Sequence, residues 1–231
     1  MKTTPLNIGH RGARGHVAEN TVASVKKAME LGVDGVEIDV FKCASGEIVV
    51  IHDTTLDRTT NGTGYVMDHT YFQLKQLKVE GEYTIPLLQD VLKALDKKVK
   101  LNVELKGPGT ADRVAFILNY YIEKQGWNPK DFIVSSFDWD ELRSFYQLNK
   151  EIPIGILTED DPLDAIDVAK ELNAFSIHPN HRFLTKGNVK AIQSEGYKIY
   201  TWTVNDPADI QRMRALGVEA IITDYPERLR E

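Results

Sequence analysis

One cysteine, Cys43, in 231 residues excludes an intramolecular disulfide. The expected compartment is therefore a reducing one, the cytoplasm. Cys43 itself lies in a turn-like stretch and reads as a half-buried small residue, a poor ligand or nucleophile. No apolar run approaches the length of a membrane span, and the opening residues lack the hydrophobic stretch of a leader, so stable membrane insertion is not expected. Basic residues are short as well: Lys and Arg number 28 against 34 Asp and Glu, for a net charge of -6, and they form no runs. That excludes nucleic-acid binding through a general basic field and requires any bound phosphate to be met locally. No His/Cys spacing suggests structural zinc. The glycines at 9, 12 and 15 fit neither the dinucleotide fingerprint nor the Walker loop; room for a tight turn explains them.

What is present is an alternation of short β-branched runs with amphipathic segments, the pattern of a parallel sheet covered by helices. Strands are expected at 6–9, 35–41, 47–52, 100–105, 132–136, 153–157, 174–178, 198–204 and 219–222. That is one more than a (β/α)8 barrel needs. The surplus strand is 47–52, because the short link after residue 41 suits an antiparallel hairpin and cannot hold a parallel crossover. A register with Phe41 opposite Ile48 would set Glu37 opposite His52. Thr21 and Thr110 are expected to cap helices, with stops at Gly32 and Gly126, and the pairs Asp161-Pro162 and Asp206-Pro207 to open two more. The fold expected is a TIM-like (β/α)8 barrel formed by a single domain, 1–231. Residues 53–86 are polar and turn-rich and read as a small insertion.

Strand parity puts Glu37 and Asp39 on one side of their strand, with Val36, Ile38 and Val40 on the other. The same parity aligns Asn102, Glu104 and Lys106 opposite Leu101, Val103 and Leu105. In a barrel the aliphatic set faces the helices, leaving three carboxylates at the interior mouth, where they repel unless a cation sits among them. Hard oxygen ligands favour Mg2+ or Ca2+. From spacing alone, a solvated face of an antiparallel strand and an ion pair at a strand end explain the same residues. His10 and His52 each end a strand. Singly they could be packing residues; together, near carboxylates, they could serve as acid and base for phosphodiester cleavage, with Arg11 and Lys106 offsetting charge on the phosphoryl oxygens. Trp202 either lines the mouth or fills the core.

In chain order, His10-Arg11-Gly12, Glu19-Asn20-Thr21, Glu37-Ile-Asp39, His52-Asp53, the run from Leu56 to Gly64, Glu104-Leu-Lys106 and Thr201-Trp202-Thr203-Val204 give the chain its likeness. It resembles the glycerophosphodiester phosphodiesterase family, whose barrel is related to that of phosphatidylinositol-specific phospholipase C. The resemblance implies Glu37, Asp39 and Glu104 as ligands of one divalent cation, His10 and His52 as the acid/base pair, Arg11 and Lys106 as phosphate contacts, and Trp202 as a wall for the glycerol. It implies a small-molecule glycerophosphodiester as substrate and sn-glycerol 3-phosphate plus an alcohol as products. Ala18 departs from the proline usual before Glu-Asn-Thr, removing no functional group. Two other readings compete: a lysophospholipase D, needing an apolar slot in 53–86, and a barrel that binds phosphoesters without turning them over.

Overall fold

The computed structural model describes residues 4–230. In chain order the elements are β1 (Leu6–Gly9), α1 (Val22–Glu30), β2 (Gly35–Lys42), β3 (Ile48–Val50), α2 (Tyr71–Leu74), α3 (Leu88–Leu95), β4 (Lys100–Leu105), α4 (Ala111–Gln125) and β5 (Phe132–Ser136). They continue with α5 (Trp139–Leu148), β6 (Ile154–Thr158), α6 (Ile166–Glu171), β7 (Ser176–Pro179), α7 (Lys186–Ser194), β8 (Lys198–Thr201), α8 (Pro207–Leu216) and β9 (Ala220–Thr223). The sheet runs β1-β9-β8-β7-β6-β5-β4-β2-β3 and closes through β1 on β2, so all strands except β3 form a parallel (β/α)8 barrel.

Apolar residues on the outer parity of the strands, such as Val36, Ile38, Val40, Val103 and Val134, pack against the inner faces of the helices. The helical period in α4 does this directly, burying Val114, Ile117, Leu118 and Tyr121. A smaller cluster of Ile8, Ile133, Tyr200, Ala220 and Ile222 plugs the floor of the barrel interior. Because β1 reaches only Gly35 and Val36 of the longer β2, the far half of that β2 edge is free, and β3 pairs with it there. Residues 53–86 then close over the outer side of this hairpin, where Leu56, Val66, Leu74, Val79 and Ile85 bury Phe41, Val49 and Ile51 in a third cluster.

Three local expectations are corrected. Phe41 pairs with Val49, not Ile48, so it is Asp39 whose carbonyl meets the Ile51 amide. Gly46 takes a left-handed φ of +92°, and the Gly46 amide bonds the Cys43 carbonyl, making a three-residue loop that shifts the register by one. Thr110 stands at the start of α4, but its hydroxyl donates back to the Gly107 carbonyl; the Glu141 carboxylate of α5 accepts from the Gly109 and Ala111 amides instead. The strand expected at 198–204 stops at Thr201, and Trp202 keeps only an isolated bridge to Asn180. Thr21, Asp161 and Asp206 do accept from the helix-start amides expected of caps.

Candidate active site

A tight turn brings the first functional residues off β1. A Cβ on Gly12 would sit 2.4 Å from Ser24 Oγ, and its φ of +88° is open chiefly to glycine. The turn also holds Arg11 at φ +49°, and the Arg11 carbonyl receives the amide of Asn20, itself at φ +58°. Two non-glycine residues in the left-handed region, joined by a backbone bond, are a strained arrangement held by its surroundings. The hold is visible at Asn20, whose Nδ2 donates to Asp39 Oδ2 at 2.8 Å while its Oδ1 accepts from the Asp39 amide at 3.1 Å.

A cavity of about 150 Å³ opens at the C-terminal mouth of the barrel, lined by His10, Arg11, Glu37, His52, Glu104, Lys106 and Trp202, with Arg14 and Phe137 at its wall. Of the residues expected from sequence, Asp39 alone does not line it; Asp39 is 1% exposed and bonded to Asn20. Carboxylate oxygens of Glu37, Asp39 and Glu104 lie within 4.8 Å of one another. Glu37 Oε2 accepts from the Arg11 amide at 2.9 Å, while Glu37 Oε1 is buried without a hydrogen-bond donor. Lys106 Nζ lies 3.0 Å from Glu104 Oε1 as an ion pair without hydrogen-bond alignment.

Such crowding of carboxylates costs free energy. Burial, then the charges of Asp39 and Glu104, push the Glu37 carboxyl well above the usual carboxylate range, and burial with Asp39 pushes Glu104 up to about 7. Three converging carboxylates, with Glu37 Oε1 and Glu104 Oε1 both buried without a hydrogen bond, fit a hard divalent cation.

Both imidazoles are fastened from behind. His10 Nδ1 is 2.6 Å from Asp224 Oδ1, and His52 Nδ1 is 2.6 Å from Asp53 Oδ1. A carboxylate can only accept, so in each ring Nδ1 carries the proton and Nε2 is the atom left for the cavity. His10 Nε2 stands 4.0 Å from Glu37 Oε2. Burial lowers both imidazole pKa values, opposed on His10 chiefly by the bond to Asp224 and on His52 by the charge of Asp39. Trp202 hangs over the mouth with its indole N–H on the His178 carbonyl at 2.7 Å and its ring edge-on to Phe137.

Sequence reasoning passed over Asp224, Arg14 and Phe137, and it assigned no role to Glu19, Asn20, Asp53 or Arg58 although the motifs contained them. Parity could have found Asp224, which continues the inward series Ala220, Ile222 past the end of β9. Arg58 announces nothing locally; it acts by reaching across to Asp53 and Glu19.

Among proteins of known sequence, a glycerophosphodiester phosphodiesterase of Caldanaerobacter subterraneus is 38% identical, over 99% of this chain and 97% of its own length. One from Bacillus subtilis is 30% identical over 96% of this chain and 84% of its own. A phosphodiesterase of Oleispira antarctica, solved with its product sn-glycerol-3-phosphate, superimposes with a TM-score of 0.89 at 31% identity, covering 98% of this chain and 96% of that one. The model of the glycerophosphoryl diester phosphodiesterase family matches residues 10–228. The chain belongs to that family and is a phosphoric diester hydrolase.

Proposed function

We propose that the protein hydrolyses glycerophosphodiesters such as glycerophosphocholine and glycerophosphoethanolamine to sn-glycerol 3-phosphate and the alcohol, with one Mg2+ or Ca2+ held by Glu37, Asp39 and Glu104. The observation that carries this reading is the pairing of two carboxylate-anchored imidazoles with a converging carboxylate triad around one cavity. A bound cation would supply charge neutralisation at the phosphoryl oxygens and lower the pKa of a coordinated hydroxyl.

The chain's own groups do the rest. One of His10 and His52, neutral at Nε2, takes the proton of the glycerol 2-hydroxyl as that oxygen attacks phosphorus; the other, protonated, gives its proton to the departing alkoxide. A P–O bond forms as another breaks, leaving a cyclic phosphate. Water then opens the ring with the two imidazoles in exchanged roles, which returns both to their starting protonation. Arg11 and Lys106 bind the non-bridging oxygens. Lys106 stays charged because, against the pull of burial, Glu104 and Asp39 raise its pKa. Trp202 offers a flat apolar wall to the glycerol carbons. The closed sheet supports treating residues 1–231 as one domain with 53–86 as an insertion, and the single Cys43 supports a reducing compartment.

The test is turnover of glycerophosphocholine by wild type, His10→Ala and His52→Ala with Mg2+, Ca2+ or a chelator. Either substitution is expected to lower kcat by about a thousandfold with folding retained, and the chelator to abolish activity. Wild-type rates in both variants would remove the acid/base roles. A second reading, cleavage of lysophospholipids, draws on Tyr65, Met67 and Phe72, which the insertion leaves exposed. A lysophospholipase D of Mus musculus, 25% identical over 97% of this chain and 85% of its own length, is among the relatives. Lysophosphatidylcholine assayed beside glycerophosphocholine separates the two. Among the described residues no helix is long and apolar enough to cross a membrane.

A further inference from the structure

One buried carboxylate outside the triad, Glu19, serves three guanidinium groups, two of which, Arg11 and Arg14, line the cavity. Glu19 Oε1 accepts from Arg11 Nη1 at 2.7 Å and from Arg58 Nη2 at 2.7 Å; Glu19 Oε2 accepts from Arg58 Nη1 at 3.1 Å and lies 3.1 Å from Arg14 Nε. Asp53 also pairs with Arg58 and Asp39 with Arg11, so among the described residues Arg14 alone of the three cations has only Glu19 as an ion-pair partner, beside a cavity that must receive an anionic phosphate.

The three arginines are not equivalent. Arg58 spends its donors on Glu19 and on both oxygens of Asp53, so it acts as a strut between Glu19 and the carboxylate that fastens His52. Arg14 is held only at Nε, and both its terminal nitrogens are without a partner among the described residues, while its side chain lines the cavity. Arg11 lies between these extremes, with Nη1 on Glu19 and Nε 3.3 Å from Asp39 Oδ2.

We propose that Glu19 is a positioning residue that aims Arg11 and Arg14 at the substrate phosphate, making Arg14 an additional phosphate contact, and through Arg58 and Asp53 holds His52 in line. Removing Glu19 would take the ion-pair partner from Arg14 and leave Arg11 and Arg58 held from one side only, by Asp39 and Asp53. The Arg14 contact lies on the open side of the cavity, so it bears on binding of substrate and product. The Arg58 strut bears on the orientation of His52, and hence on turnover.

This inference rests on the cavity being the phosphodiester site. The experiment measures KM and kcat for glycerophosphocholine, inhibition by sn-glycerol 3-phosphate, and Tm for Arg14→Gln, Arg14→Lys and Glu19→Gln. Arg14→Gln is expected to raise KM and the product inhibition constant about tenfold with unchanged Tm, and Arg14→Lys to recover part of that loss. Glu19→Gln is expected to raise the inhibition constant at least as much and also to lower kcat about tenfold, because Arg58 and Asp53 relax with it. A merely structural Glu19 would lower Tm and leave the inhibition constant alone, and that result overturns the proposal. If Glu19→Gln does not fold, the two Arg14 variants decide: a wild-type inhibition constant in folded Arg14→Gln also overturns it. A wild-type protein inert toward every glycerophosphodiester would strike the functional reading instead.

Discussion

His178 and His10 both face the interior of the same barrel, yet they meet different company. His178, on β7, touches Ser176 Oγ at 2.7 Å and stacks on the Tyr200 ring at 5.2 Å, with no carboxylate bonded to either nitrogen. His10, off β1, has Asp224 at 2.6 Å and three further carboxylates around the cavity. Burial alone pushes His178 down to about 3, so it is neutral at any ordinary pH, whereas at His10 the bond to Asp224 opposes the same penalty. The sector of β6, β7 and β8 therefore spends its polar groups on packing. The sector of β1, β2 and β4 keeps charges that need partners, and that imbalance is what a catalytic site requires.

The largest way to break the contrast is to neutralise the charged sector. Glu37→Gln is expected to cost more than the roughly 10- to 100-fold typical of supporting residues around a metal, on the order of a thousandfold in kcat. The same substitution should stabilise the cation-free protein, because an amide relieves repulsion with Asp39 and Glu104. The pH dependence has a definite sign. Glu37 and Glu104 have folded pKa values raised above the usual 4.5, with Glu104 at about 7, so the unfolded chain releases its protons first. Stability of the cation-free protein then falls as pH rises from 4.5 through 7. Added Mg2+ or Ca2+ should raise Tm more in mildly alkaline than in mildly acidic buffer, as measured by calorimetry; equal shifts in both would contradict a cation seated on these carboxylates.

Next in size are the groups behind the imidazoles. Asp224→Asn can present an N–H to His10 Nδ1, which turns the ring to the wrong tautomer, and kcat is expected to fall about 10- to 100-fold. The matching change in the quiet sector, Ser176→Ala, should leave kcat and KM unaltered and lower stability by about 1 kcal/mol through loss of one buried hydrogen bond. Steady-state kinetics and urea unfolding on both variants check the pair. A large kinetic effect from Ser176→Ala would erase the distinction between the sectors.

The strands were legible in sequence because buried parallel strands read as β-branched runs between turn signals, and parity then aligned Glu37, Asp39 and Glu104 without coordinates. The hairpin register was not legible, since it turned on whether Gly46 took a left-handed conformation and made the loop three residues long. Nor was the helix-start bond to Glu141, supplied 30 residues downstream of the Ala111 amide it accepts from. The triad shares one side of two adjacent strands, so local rules suffice. Asp224 is 214 residues from His10 and meets it only because the barrel closes β9 onto β1. Glu19 and Arg58 meet only because the insertion folds back onto the β2–β3 hairpin. Supporting residues of this kind depend on closure, and closure is the one property that no window of sequence contains.

The smallest expected effect on activity comes from His178 itself, and it sharpens the comparison in another quantity. Gly155 makes room for this ring, since a Cβ there would lie 2.5 Å from His178 Nε2. A planar amide of similar size, His178→Gln, should therefore keep kcat and KM. Its signature lies in acid stability. The folded pKa of about 3 is below the ordinary 6.5, so the unfolded chain binds a proton that the native state refuses. The stability in question is fully present above pH 6.5 and drains away as pH falls toward 3. At two pH units below the unfolded value the wild type should have lost about 2 kcal/mol by this route, at 1.36 kcal/mol per unit and with some allowance for relaxation. His178→Gln removes that slope while leaving the acid losses from paired carboxylates such as Glu19, held at about 2 by Arg58 and Arg11 against the opposing effect of burial. Urea midpoints across that acid range for wild type and variant would separate the two contributions. Parallel curves would mean that the His178 ring finds a proton partner in the folded state, and the quiet sector would then carry a charge after all.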